Sequence, residues 1–152
     1  MVEVFPRPLD IPIWHAAAEG KMPDWKNFLI DFKAAVDWPA SAFWEELSDA
    51  YPNAIIVLSQ RDPEEWWQSA SETIFPALLN AEDSPWRRMV FKVLKQRFTI
   101  DIESKEKSIL AYQKHNARVE SKAPCDRLLR WHAEDGWGPL CEKLAIEIPE
   151  DS

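Results

Sequence analysis

The sequence predicts an α/β layer architecture with few parallel strands and mostly helices. Three observations carry that reading. The run AIIVLSQ, residues 54 to 60, is continuously apolar and β-branched, as expected of a strand covered on both faces and therefore parallel. RLLRWHA, residues 127 to 133, reads as a second strand. Each is followed by a turn and a helix start, Asp62-Pro63 after the first and Pro139 after the second, and strand-turn-helix repeated in one chain is the pattern of parallel layers. Two strands are too few for a complete sheet.

The other elements follow from periodicity and stop signals. A short helix is expected from Ile11 to Glu19, ended near Gly20. Asp24 then serves as N-cap of a helix through Val36, with Trp25, Phe28, Leu29 and Phe32 on one stripe. Trp38-Pro39 breaks the chain, and Ser41 or its neighbour opens a helix to about Ala50, with Phe43, Trp44 and Leu47 at helical spacing. Asp62 caps the next helix, Pro63 takes its first position, and Glu65 is placed to reach back as in a capping box. Beyond Pro85 lie two helices, about Trp86 to Arg97 and Ile102 to Lys122; the second is polar on most faces and reads as a lid or outer layer. Pro139 starts a final helix through Ala145.

The 152 residues fit one domain, able to bury roughly 70% of the surface that the unfolded chain would expose. With 18 Lys plus Arg against 26 Asp plus Glu, the net charge of −8 disfavours nonspecific binding to nucleic acid or anionic membrane. The longest apolar runs fall far short of the ~20 residues of a membrane span, and MVEVFPRP lacks the apolar core of a signal peptide, so a cytoplasmic protein is expected. Cys125 and Cys141 have no CxxC partner or companion His at ligand spacing, which leaves two ordinary thiols and no metal site. Nine tryptophans are scattered singly or in one pair, as suits packing between helices more than one stacking platform.

Chemistry is expected beyond the carboxyl end of a parallel strand, where the following helix offers free N–H groups and a positive dipole end to an anion. Arg61 lies at such an end, and Ser69 stands about two turns into the helix that follows. Together they could hold a phosphate lying along the first turns; alternatively, Arg61 pairs with Asp62, Glu64 or Glu65 and Ser69 is an ordinary helix residue. His15, His115 and His132 have no motif around them and are expected to be structural or exposed.

The stretch VDWPASAFWEELSDAYPNAIIVLSQRDPEEWWQSASETIFP and the stretch RLLRWHAEDGWGPLCEKLAIEIP resemble the P-loop-fold sulfotransferases. More narrowly, the RDP-x-x-W and GW-x-PLC segments are similar to those of the bacterial and fungal branch. The resemblance runs over almost the whole chain and implies an incomplete P-loop NTPase-like sulfotransferase layer. It implies that Arg61 and Ser69 hold the 3′-phosphate of the donor, adenosine 3′-phosphate 5′-phosphosulfate (PAPS), and that no metal takes part. Where cytosolic members carry a Thr-His-Leu-Pro segment with the general base, this chain has Val36-Asp37-Trp38-Pro39, which puts Asp37 at that position. Asp37 would take the proton of a hydroxyl or amine acceptor; alternatively, it caps a turn.

One family feature has no counterpart. The glycines are Gly20, Gly136 and Gly138, so the Gly-rich 5′-phosphosulfate loop is not present, and MVEVF aligns just after it; the single domain reads as N-terminally truncated relative to the family. The strand before that loop is central in the family's sheet, so the two strands found here would flank a gap or close up on each other, and exposed sheet surface invites self-association. Two classes of function stay open: a sulfotransferase acting on a small-molecule acceptor, or a noncatalytic α/β module that binds a partner chain or an adenosine bisphosphate without turnover.

Overall fold

The computed structural model describes residues 7–149. Among them run α1 (Ile11–Ala18), α2 (Trp25–Phe28), α3 (Trp44–Ala50), β1 (Ile56–Gln60), α4 (Pro63–Glu72), α5 (Ile74–Leu79), α6 (Pro85–Arg97), α7 (Lys105–Lys122), β2 (Leu128–His132) and α8 (Gly138–Leu144). Short 3-10 turns precede α1 and α3 and follow β2. The fold is mixed α/β and mostly helical. No described helix is long and apolar enough to cross a membrane.

β1 and β2 pair directly and in parallel, with Ile56 opposite Leu128 and Gln60 opposite His132. Of the two arrangements open to these strands, they close up. Both are shorter than the apolar runs that announced them. The expectation that β1 is covered on both faces is corrected: Leu58 is buried, but Val57 is 42% exposed and Ser59 is exposed as well. Parallel pairing therefore holds although Val57 and Ser59 are exposed, and α7 packs on the face that carries Leu58, Gln60 and Arg130. Glu120 of α7 accepts from Gln60 Nε2 at 3.2 Å and from Arg130 Nε at 3.0 Å across that face.

The core is built from helices rather than from the sheet. Trp14 of α1 meets Trp25, Phe28 and Phe43 at centroid distances of 5.4, 5.2 and 5.6 Å. Against them α6 presents Met89, Val90, Val93 and Leu94, all buried. Ser84 caps α6 by accepting from Arg87 N–H at 3.1 Å, Pro85 opens it, and Lys95 and Arg97 complement its C-terminal dipole. Phe43 and Met89 are fully enclosed, and Phe43→Ala would cost about 3–5 kcal/mol.

The helix expected from Trp25 to Val36 is a single turn ending at Phe28. Asp24 does cap it, accepting from the N–H groups of Lys26 and Asn27. Trp25, Phe28 and Leu29 reach the core, but Ile30 and Val36 face solvent. A short helix with no apolar face to bury past its first turn has little to propagate it. Likewise α7 starts at Lys105, not Ile102, where Ser104 accepts from Lys107 N–H at 3.4 Å. Ser108, Tyr112 and Val119 are its buried residues, one narrow stripe on an otherwise wet helix, as suits an outer layer.

The tryptophans divide by burial. Trp14 and Trp25 are buried, Trp38, Trp66, Trp67 and Trp86 are half-buried at the core's edge, and Trp137 is 52% exposed.

Candidate functional site

At the carboxyl end of β1 the chain is fixed by a side chain fifty-one positions away. The Tyr112 hydroxyl accepts from Arg61 N–H at 3.1 Å and donates to Arg61 C=O at 3.1 Å. Tyr112 is itself buried and stacks on Trp66 of α4, with centroids 4.5 Å apart and ring planes at 11°. Strand end, helix start and outer helix are thereby locked together at one residue. Asp62 completes the turn by accepting from Glu64 N–H at 2.9 Å and from Glu65 N–H at 3.2 Å.

With its backbone held, Arg61 extends its guanidinium into solvent. Nη2 lies 3.7 Å from Glu65 Oε2, and the two side chains are 51% and 67% exposed. Of the alternatives raised by the sequence, Arg61 thus has an acidic partner on the helix start, in a pair worth at most about 1 kcal/mol. Glu65 turns to Arg61, and the reach back to Asp62 expected of a capping box does not form among the described residues. Ser69 is exposed one turn beyond Glu65 on the same face of α4, and its carbonyl accepts from Thr73 Oγ1 at 2.6 Å. Ser69 thus stands one helical turn beyond Glu65, the carboxylate that faces Arg61.

Asp37 opens the turn before α3. It adopts φ +63°, its Oδ1 accepts from Trp38 N–H at 2.7 Å, and its carbonyl accepts from Ser41 N–H at 2.9 Å. These are turn-forming contacts on an exposed carboxylate. A row of rings joins this turn to Arg61: Trp38 packs edge-on against Phe98 at 5.9 Å, Phe98 packs edge-on against Trp66 at 5.9 Å, and Trp66 stacks on Tyr112. Rigid aromatic packing therefore fixes the Asp37 turn relative to the Arg61 strand end.

An open groove of about 330 Å³, lined in part by Phe98, lies between the start of α3, the end of α6 and α7. Trp44, Phe98 and Leu110 give it apolar surface; Arg97, Lys107, Lys114 and Arg118 give it cations; Glu45 and Glu46 give it carboxylates. Arg97 Nη2 is 2.7 Å from Glu46 Oε1, and Arg118, with Lys122, holds Glu45. The hydrogen bond from Arg118 lowers the Glu45 pKa. His115 also lines the groove; burial and then the Arg118 charge push its pKa below the usual imidazole value. His132 is exposed at the end of β2, where its N–H donates to Asp135 Oδ2 at 2.7 Å. Cys125 is exposed and Cys141 buried, both free thiols. No cluster of three or more metal-ligating side chains forms among the described residues.

A family model described as a sulfotransferase domain matches residues 1–152. The chain belongs to the sulfotransferase family. The chain is similar to the Ava biosynthesis cluster protein M of Aspergillus versicolor, 32% identical over 142 residues that make up 84% of this chain and 55% of that protein. The chain spans about half the length of that curated relative.

Two features of this sulfotransferase chain lay beyond sequence reasoning. Tyr112 belongs to a helix read as mostly polar; its signal was the thin stripe it shares with Ser108 and Val119. Arg127 opens the run that predicts β2, and its guanidinium donates to the carbonyls of Tyr51 at 3.0 Å and Ala54 at 3.1 Å and to Ser48 Oγ at 2.8 Å. That knot fixes the loop leading into β1, and so the strand end where Arg61 sits.

Proposed function

We propose that this chain carries the 3′-phosphate side of a sulfuryl-transfer site, with PAPS as donor and a small-molecule hydroxyl or amine as acceptor. Arg61 offers two parallel N–H donors to the phosphate oxygens and Ser69 adds a hydroxyl. The sulfuryl group leaves the bridging oxygen of the donor as a new S–O or S–N bond forms to the acceptor. Adenosine 3′,5′-bisphosphate departs with the electron pair of the broken bond, and Asp37 takes the acceptor's proton. No metal is required for this displacement.

The observation that carries the reading is the Tyr112 clamp. It holds the backbone of Arg61 at the carboxyl end of a parallel strand, with its guanidinium reaching Glu65, one helical turn before Ser69 on α4. The test is titration calorimetry with adenosine 3′,5′-bisphosphate, with adenosine 5′-monophosphate as control. Binding that weakens about tenfold in Arg61→Ala and less in Ser69→Ala, with the monophosphate indifferent to both, is the expected result. No heat with the parent protein overturns the site.

A second reading has its own observation: none of the three glycines belongs to a phosphate loop. The preorganised donors of such a loop stabilise charge on the bridging oxygen, and losing one costs on the order of 10² to 10³ in rate. On this reading the chain binds the bisphosphate, or a partner chain, without turnover. Bisphosphate binding without sulfate transfer to any of a panel of phenols and amines selects it.

A further inference from the structure

Three of the four cations lining the α6–α7 groove are paired with carboxylates. In a chain of net charge −8, four cations face two carboxylates there. Arg97 is held by Glu46, Arg118 by Glu45, and Lys107 by Asp101 at 2.7 Å. Lys114 pairs with no carboxylate among the described residues, and its ammonium stands exposed on the groove's wall. Beside it are half-exposed Leu110 and the rings of Trp44 and Phe98. Phe98 is also the groove's link to Trp38 and hence to the Asp37 turn.

We infer that the groove takes an acceptor with a flat apolar body and a carboxylate, the body lying on Trp44, Phe98 and Leu110 and the carboxylate meeting Lys114. Resting on the sulfuryl-transfer reading, this names the class of acceptor that the proposed site serves. The charge selects the class: an apolar patch alone would accept a neutral phenol equally well, whereas an unpaired ammonium at its edge favours an acid over its neutral counterpart. Because Lys114 is exposed, the preference is about fivefold, the upper range for a solvent-screened pair.

The experiment compares 6-hydroxy-2-naphthoate with 2-naphthol by calorimetry, with backbone amide NMR to locate binding. The naphthoate should bind about fivefold more tightly, moving the amides of residues 96–98 and 110–115. Lys114→Ala should abolish the difference while leaving 2-naphthol affinity unchanged, and Leu110→Glu, at an exposed position, should weaken the naphthoate more than the naphthol. Equal affinity for the two probes, a preference that survives Lys114→Ala, or shifts confined to other surfaces would overturn the inference. Titration of the same proteins with adenosine 3′,5′-bisphosphate keeps the two readings apart. The acceptor inference expects Lys114→Ala to leave that binding intact, whereas the donor reading fails only if the parent does not bind it.

Discussion

Replacing Tyr112 with phenylalanine isolates the clamp on Arg61. The ring and its 4.5 Å stack on Trp66 remain, while the N–H and C=O of Arg61 lose their shared partner. Each lost hydrogen bond is worth about 0.5–1.5 kcal/mol net, and more if the orphaned group stays away from water. The pair is part-buried, so roughly 2 kcal/mol is the expected loss. For a chain of this length that lowers the melting temperature by about 4 to 8 °C. Thermal unfolding by circular dichroism measures it, with Tyr112→Leu as the companion variant that removes the stack as well and should fall further. Because the clamp also sets where the guanidinium starts, Tyr112→Phe should weaken adenosine 3′,5′-bisphosphate binding while the folded fraction stays complete at 20 °C. A melting point within 1 °C of the parent would refute the clamp as a structural device, whatever the ligand data show.

Arg127→Lys should destabilise the protein by about 2–4 kcal/mol in urea unfolding, because a lysine cannot reproduce the fork that reaches Tyr51, Ala54 and Ser48 at once. His115 binds a proton less readily folded than unfolded, so its contribution to stability is full above the unfolded value of about 6.5 and is lost as pH falls toward the folded value. His115→Gln should flatten that part of the stability profile between pH 7 and 5, and an unchanged slope would count against it. Exposed Val57 on β1, with Leu144, Ile146 and Ile148 also exposed, should make the protein self-associate. Val57→Glu should shift sizing chromatography toward the monomer, whereas a monodisperse parent monomer would be the contrary result.

What the sequence made legible is what local chemistry determines. Asp62 and Pro63 could announce a helix because cap and first turn lie within four residues, and the AIIVL run could announce a parallel strand because its side chains admit little else. The same run does not tell coverage at Val57, which is 42% exposed, since that depends on what the rest of the chain packs there. The helix after Asp24 stops at Phe28 for a related reason: its stripe reaches the core to Leu29, but propagation needs a partner surface that Ile30 and Val36 lack. At the candidate site, Arg61 and Ser69 are visible as residues in the sequence, while Tyr112's grip is not. A tertiary hydrogen bond between positions fifty-one apart leaves no trace in either neighbourhood.

The position of Glu65 gives the proposed phosphate site a consequence of its own. Its carboxylate lies 3.7 Å from Arg61 and one helical turn before Ser69, so a phosphate bridging those donors must either displace it or sit beside it. Displacement costs the weak exposed pair; coexistence sets two negative charges about 4 Å apart in water, which is about 1 kcal/mol of repulsion. Either way Glu65 opposes the anion, and Glu65→Gln should tighten adenosine 3′,5′-bisphosphate about fivefold. The effect should shrink in 1 M salt, where screening reaches within about 3 Å, while any gain from altered helix stability would persist. The alternative is that Glu65 orders Arg61 for binding, with the pair acting as a splint. In that case Glu65→Gln weakens binding, and the sign of one titration decides between a guard and a support.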